Sequence, residues 1–169
     1  MKKLFLLGLL FFLSIISAED FEKPLDIVHF EISPHAGFMG GGGALGLSAS
    51  MNYSSIALEM TAEELIGHMA TCYPLTANFI VNLASTAKIV PYGIVGGGVL
   101  FTVPENAVGS NTVNTIGLNF GGGLRYYLSP KIGVRFESKQ LFSRLDNKEG
   151  QNKLVIFQGL SLGVIFVFG

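Results

Sequence analysis

His29, Glu31, Ser33 and His35 are the residues whose types and spacing could do chemistry, because alternate residues of an extended strand project from one face. Two imidazoles and a carboxylate are metal-ligand types, but a zinc site needs three or four ligands, and no others stand at a matching spacing. A serine hydrolase needs a serine, a histidine and an acid converging as nucleophile, base and orienting group, and no matching motif appears. Gly40–Gly43 would cradle a phosphate only ahead of a Gly-Lys-Ser/Thr element. Ala44 and Leu45 follow instead, so the glycines read as a turn. Cys72, the single cysteine, cannot form an internal disulfide. The sequence therefore predicts no enzyme, no metal and no cofactor.

These residues must be positioned by strands. Leu160, Leu162, Val164, Phe166 and Phe168 share one parity of the last stretch, and Gly159, Ser161 and Gly163 share the other. This period-2 pattern has one greasy and one small face, as in the strands of a transmembrane barrel. The chain begins Met1-Lys2-Lys3, continues apolar to Ile16 and reaches Ser17-Ala18 before Glu19-Asp20. That is the form of a secretory signal peptide over residues 1–18, too short for a spanning helix. Residues 19–169 are then one domain, with a polar leader 19–25. Two of the eleven basic residues leave with the signal against none of the twelve acidic ones, so no basic surface for nucleic acid is predicted.

The first strand starts near Ile27, with Val28, Phe30, Ile32, Ala36 and Phe38 outward and His29, Glu31 and Ser33 inward. After the glycine turn, Leu45, Leu47, Ala49, Met51 and Tyr53 face outward and Ala44, Gly46, Ser48, Ser50 and Asn52 inward. The third strand places Ile56, Leu58 and Met60 outward and Glu59 inward. Thr61-Ala62-Glu63-Glu64 then reads as a capping box. Either a loop over residues 62–70 carries a short helix or the strand runs on to Ile66, and the capping box favours the helix. A fourth strand follows Tyr73-Pro74, with Ala77, Phe79, Val81 and Leu83 outward, and a turn falls at Ser85–Lys88. The fifth, Val90–Phe101, is apolar on both parities. The sixth sets Ile116, Leu118, Phe120, Leu124, Tyr126 and Leu128 outward and Asn119, Gly121, Gly123, Arg125 and Tyr127 inward. The seventh sets Ile132, Val134 and Phe136 outward and Arg135, Glu137 and Lys139 inward. Loops are expected over 105–111 and 143–153.

The fold class predicted is all-β, an eight-stranded antiparallel up-and-down transmembrane β-barrel, with short turns at one end and three longer loops at the other. Tyr53, Tyr92, Tyr126 and Phe168 are predicted to face outward at the short-turn end as an aromatic girdle. Gly97, Gly121 and Gly123 are predicted inward, making room for Arg125 and Tyr127. Keeping both outward faces on lipid pairs Leu128 with Ile132 and sets Arg125 opposite Arg135, with Glu137 diagonal to Arg125. The inward charges are then Glu31, Glu59 and Glu137 against Arg125, Arg135 and Lys139, a balanced set predicted to bridge across a narrow lumen.

Tyr92–Gly98, Phe120–Pro130, Lys131–Glu137 and Leu162–Phe168 resemble the small outer-membrane barrels of OmpA-transmembrane and OmpX type. The resemblance implies a site in the outer membrane of a diderm bacterium, contact with outer-membrane lipid, and insertion by the barrel-assembly machinery. Leu162, Val164, Phe166 and Phe168 would form the assembly signal. The function expected is a structural or surface-interaction barrel, with a plugged interior and an unspecified external ligand or host surface; a monomer is expected. A narrow gated pore and a lipid-modifying enzyme are the alternatives.

Overall fold

The structure is a computed structural model and describes residues 28–67, 70–83, 88–104, 113–146 and 152–168. The signal peptide, the leader, the start of the first strand at Ile27, most of the Ser85–Lys88 turn and the 105–111 loop expected from the sequence lie outside these residues. Eight strands are present among the described residues: β1 (His29–Met39), β2 (Gly42–Tyr53), β3 (Ile56–Ile66), β4 (Ala70–Asn82), β5 (Ile89–Pro104), β6 (Val113–Ser129), β7 (Ile132–Asp146) and β8 (Asn152–Phe168). Each pairs antiparallel with the next, and β8 pairs with β1 to close the barrel. Closure pairs every strand on both sides and leaves no edge.

The register sets the shape. Following pairs from His29 through Asn52, Ala57, Ile80, Ile94, Gly121, Lys139 and Gly159 returns to β1 at Met39, ten residues further along. A stagger of this size around eight strands goes with a tilt of roughly 35–45° and an interior that side chains can fill. The lower end carries His29, Tyr53, Ile56, Asn82, Ile89, Ser129, Ile132 and Phe168, and the other end is the upper one. β1–β4 have 11 to 13 residues and β5–β8 have 15 to 17, so the wall is taller on the β5–β8 side.

Turn chemistry fixes two hairpins. Met39 pairs with Gly42 across Gly40 and Gly41, whose φ values of 61° and 86° suit the tight hairpin turn that glycine admits without strain. At the lower end, Ser129 rather than Leu128 pairs with Ile132, with the register shifting between Tyr127 and Ser129. The expected Leu128–Ile132 pair is therefore replaced by a bulge. The Ser129 hydroxyl accepts from the N–H groups of Lys131 and Ile132 at 3.3 and 3.1 Å, holding the chain around Pro130. Above the bulge Arg125 does stand opposite Arg135.

The structure differs from the sequence expectation elsewhere. Residues 62–66 continue β3 rather than opening a helix: Thr61, Glu63 and Leu65 are buried while Ala62 and Ile66 are exposed. This extension pairs with Gly43–Leu47 of β2, whose backbone groups a helix would have left without ladder partners. β4 already begins at Ala70, so Tyr73 and Pro74 lie within it, and β7 and β8 run into the expected 143–153 loop. On β5 the face is inverted: Tyr92 is 2% exposed and points inward, and Gly97 shares the outward parity of Val95 and Val99. With both parities apolar, the pattern on β5 held no facing information.

Outside, Phe38, Leu47, Met60, Leu75, Val95, Leu118, Phe136 and Leu162 give every strand exposed apolar side chains. Leu47 and Leu162 lie near mid-height and are 51% and 65% exposed. Leu47→Arg and Leu162→Arg should each lower stability in lipid vesicles by roughly 2–4 kcal/mol, whereas Lys131→Glu in the lower turn should have little effect. Reversible refolding into vesicles checks both.

Candidate functional site

The interior is built by the inward parity of each strand, and it gathers charge in tiers. In the lowest tier, the Glu31 carboxylate of β1 lies 3.0 Å from His29 Nε2, accepts from the Tyr127 hydroxyl at 2.6 Å and stands 3.7 Å from Arg125 Nη1. Arg125, fully buried, donates to Asn52 Oδ1 at 2.8 Å. In the middle tier, Arg135 donates to both Glu59 and Glu137. Glu59 also accepts from Thr61 at 3.1 Å and Asn78 at 3.3 Å. In the upper tier, Lys139 Nζ lies 2.9 and 2.8 Å from the two carboxylate oxygens of Glu63 and 3.9 Å from Glu137, while His35 Nε2 is 3.3 Å from Glu63. The middle and upper tiers thus form one ladder, Glu59–Arg135–Glu137–Lys139–Glu63. Charges this buried need such partners, because an unpaired ion in the interior costs several kcal/mol.

All six charges expected inward, Glu31, Glu59, Arg125, Arg135, Glu137 and Lys139, face the interior and are at most 5% exposed. Their partners differ in one respect: Arg125 is paired toward Glu31 and Asn52, and Arg135 rather than Arg125 holds Glu137. Glu63 joins as a fourth acid that the helix reading of residues 62–70 had concealed. Its signal was its parity with Glu59 and Thr61.

Tyr92 explains how two arginines can face one another. Its ring lies 4.8 Å from the Arg125 guanidinium carbon and 5.3 Å from that of Arg135, so both cations border one aromatic ring. Its hydroxyl donates to Glu137 at 2.8 Å and accepts from Arg135 Nε at 2.7 Å. Gly123 makes this possible, since a Cβ there would come within 2.5 Å of the Tyr92 hydroxyl. Of the expected girdle, Tyr53 is 63% and Phe168 52% exposed, Tyr126 is half-buried with outward parity, and Tyr92 is absent from it. Phe30 stands beside Phe168 at a centroid distance of 6.4 Å instead. Leu162, Val164, Phe166 and Phe168 all point outward on β8.

Above the charges the interior turns apolar. Met39, Ala44, Leu65, Leu100 and Leu141 form a buried cluster, with Cys72 and Phe157 packed against it. Of these residues the sequence places only Ala44 inward, so it does not predict the layer, although each member shares the inward parity of its strand. Among the described residues no three His, Cys, Asp or Glu side chains converge as a metal site.

No family model matches the sequence, and no curated protein matches it. Solved structures do match in shape. The N-terminal β-barrel domain of Pseudomonas aeruginosa OprF superposes with a TM-score of 0.66 at 17% identity, covering 83% of this chain and 97% of that one. Neisserial surface protein A gives 0.62 at 15%, covering 83% and 96%. The outer membrane enzyme PagL gives 0.50 at 16%, covering 80% and 98%. The fold is therefore that of the small eight-stranded outer-membrane barrels, which carries an enzyme in one case and so does not by itself assign a function.

The pairing makes a quantitative expectation. Arg135→Ala should cost up to about 3–5 kcal/mol, because it leaves Glu59 and Glu137 short of the cation they share. Double-mutant cycles should couple Arg135 with Glu137 by more than about 0.5 kcal/mol and couple Arg125 with Glu137 more weakly.

Proposed function

We propose that this chain is an integral outer-membrane barrel with a structural and surface-interaction role, its interior closed by side chains and its upper end turned to the exterior. The observation that carries this reading is the pairing of an apolar exterior on all eight strands with an interior of bridged charges capped by an apolar layer. A surface of exposed Leu, Phe and Val this continuous suits hydrocarbon rather than water. The packed interior argues against a wide aqueous path, since eight strands leave room for side chains and little else. The enzyme alternative has no support from the inner face. His29 and His35 are engaged by Glu31 and Glu63, and the Ser33 hydroxyl has no hydrogen-bond partner among the described residues.

Contact with outer-membrane lipid, a monomeric state and insertion by the barrel-assembly machinery through β8 belong to the same proposal. Membrane fractionation with heat-modifiable gel migration tests the location. Recovery of folded protein in the soluble fraction would contradict it, as steady single-channel conductance of the wild type would contradict the closed interior. For assembly, Phe168→Ala should lower the folded fraction in cells by more than its effect on refolding in vitro. Equal effects in the two settings would remove β8 as the assembly signal.

A further inference from the structure

The apolar layer draws on every strand, with Thr102 beside Cys72 (Oγ1 to Sγ 3.4 Å) and Ser143 beside Gly117 along its upper side. Ala44, Leu65 and Cys72 are successive partners in the register of β2, β3 and β4, and Leu141 pairs with Phe157 across β7 and β8. Met39 closes the β1 side, packing its Cε against Gly159, where a Cβ would stand 2.7 Å away. On β5 and β6, Leu100 and Leu141 fill the space left by Gly117: a Cβ there would lie 2.6 Å from Leu100 Cδ1 and 3.2 Å from Leu141 Cδ1. All eight strands thus bring an apolar side chain, a glycine or the Cys72 thiol to one level near the upper end of β1–β4. Leu100 and Leu141 are 2% and 1% exposed.

The lower end is different. Its inward apolar side chains fall in two clusters, Val90, Tyr127, Ile165 and the half-buried Val167 on β5, β6 and β8, and Ala57, Ile80, Tyr92 and Ile94 on β3–β5, and neither includes β1 or β2. His29, Asn52 and Asn82 line the β1, β2 and β4 side at that level. In the same lower half, Arg125 Nε and Nη2 and Asn82 Oδ1 are buried without a hydrogen-bond partner among the described residues. Polar atoms buried without partners are satisfied by water, which is the economical reading of this side of the lumen.

We propose that the barrel is a blind-ended cup, its lumen hydrated from the lower end, and that the apolar ring rather than the charge ladder is its barrier to ions. A charge ladder can rearrange and offer ligands in place of a hydration shell. An apolar constriction offers none and excludes ions by staying dry. This inference rests on the closed interior proposed above and locates the closure.

The test compares three folded proteins in planar bilayers, with folding confirmed by heat-modifiable migration. They are the wild type, Leu100→Ser/Leu141→Ser in the ring, and Glu63→Gln/Lys139→Met in the charge tier just beneath it. Steady conductance is expected from the ring variant alone. If the ring double variant does not fold, Leu141→Ala takes its place. Cys72, the chain's one cysteine and a member of the ring, supplies a second readout. A charged thiol reagent confined to the lower side should label Cys72 in the ring variant and leave it unmodified in the wild type. A folded ring variant that neither conducts nor labels from below, or conductance of the charge variant, would overturn the proposal while leaving the closed barrel standing. Conductance of the wild type would overturn both.

Discussion

Closing an eight-stranded sheet on itself encloses charged side chains in a space too narrow to hydrate them freely, and the rest of the structure answers that constraint. Among the described residues, four acids and three bases face inward on β1, β3, β6 and β7, and the structure meets their desolvation by pairing rather than by exposure. The pairing depends on register. Because β6 and β7 keep Arg125 opposite Arg135, something must stand between two like charges, and Tyr92 of β5 fills that role. Glycines are spent where the long side chains need space, as at Gly123 for Tyr92 and Gly46 for His35 and Glu63. The outer face carries none of these demands and is almost uniformly apolar.

What the sequence revealed follows from where its two faces differ. β2, and β8 over Gly159–Gly163, alternate cleanly between large apolar and small or polar residues, so their facing, and with it the barrel, could be read directly. Glu31, Glu59, Arg125 and Arg135 could be placed inward for the same reason, since each sits between outward apolar neighbours, and Glu137 and Lys139 follow Arg135 by parity. β5 could not be read, because Val90, Tyr92 and Ile94 are as apolar as Val95 and Val99. The outward facing that the sequence predicts for Tyr92 fails for that reason, and the side chain belongs to the core. At Thr61–Glu64 a local capping signal competed with a long-range ladder. The ladder prevailed because closure supplies backbone partners that an isolated helical turn lacks.

The apolar ring was hidden for a third reason. Its members lie on the inward parity, where a membrane barrel is expected to be polar, and they are scattered over the sequence from Met39 to Phe157. Only the stagger of ten residues around the barrel brings them to one level. Sequence patterns of period two report facing, whereas height is set by register between strands, and register is a property of pairs.

The central claim is that the outer parity meets lipid while the inner parity is enclosed. Single-cysteine spin labels along β8 from Gly159 to Phe168, in a Cys72→Ser background in lipid vesicles, test it most directly. Collision rates with a lipid-soluble relaxer should alternate, high at Leu160, Leu162, Val164 and Phe166 and low at Ser161, Gly163 and Ile165. Rates that fail to alternate, or outward positions relaxed chiefly by a water-soluble agent, would contradict the account.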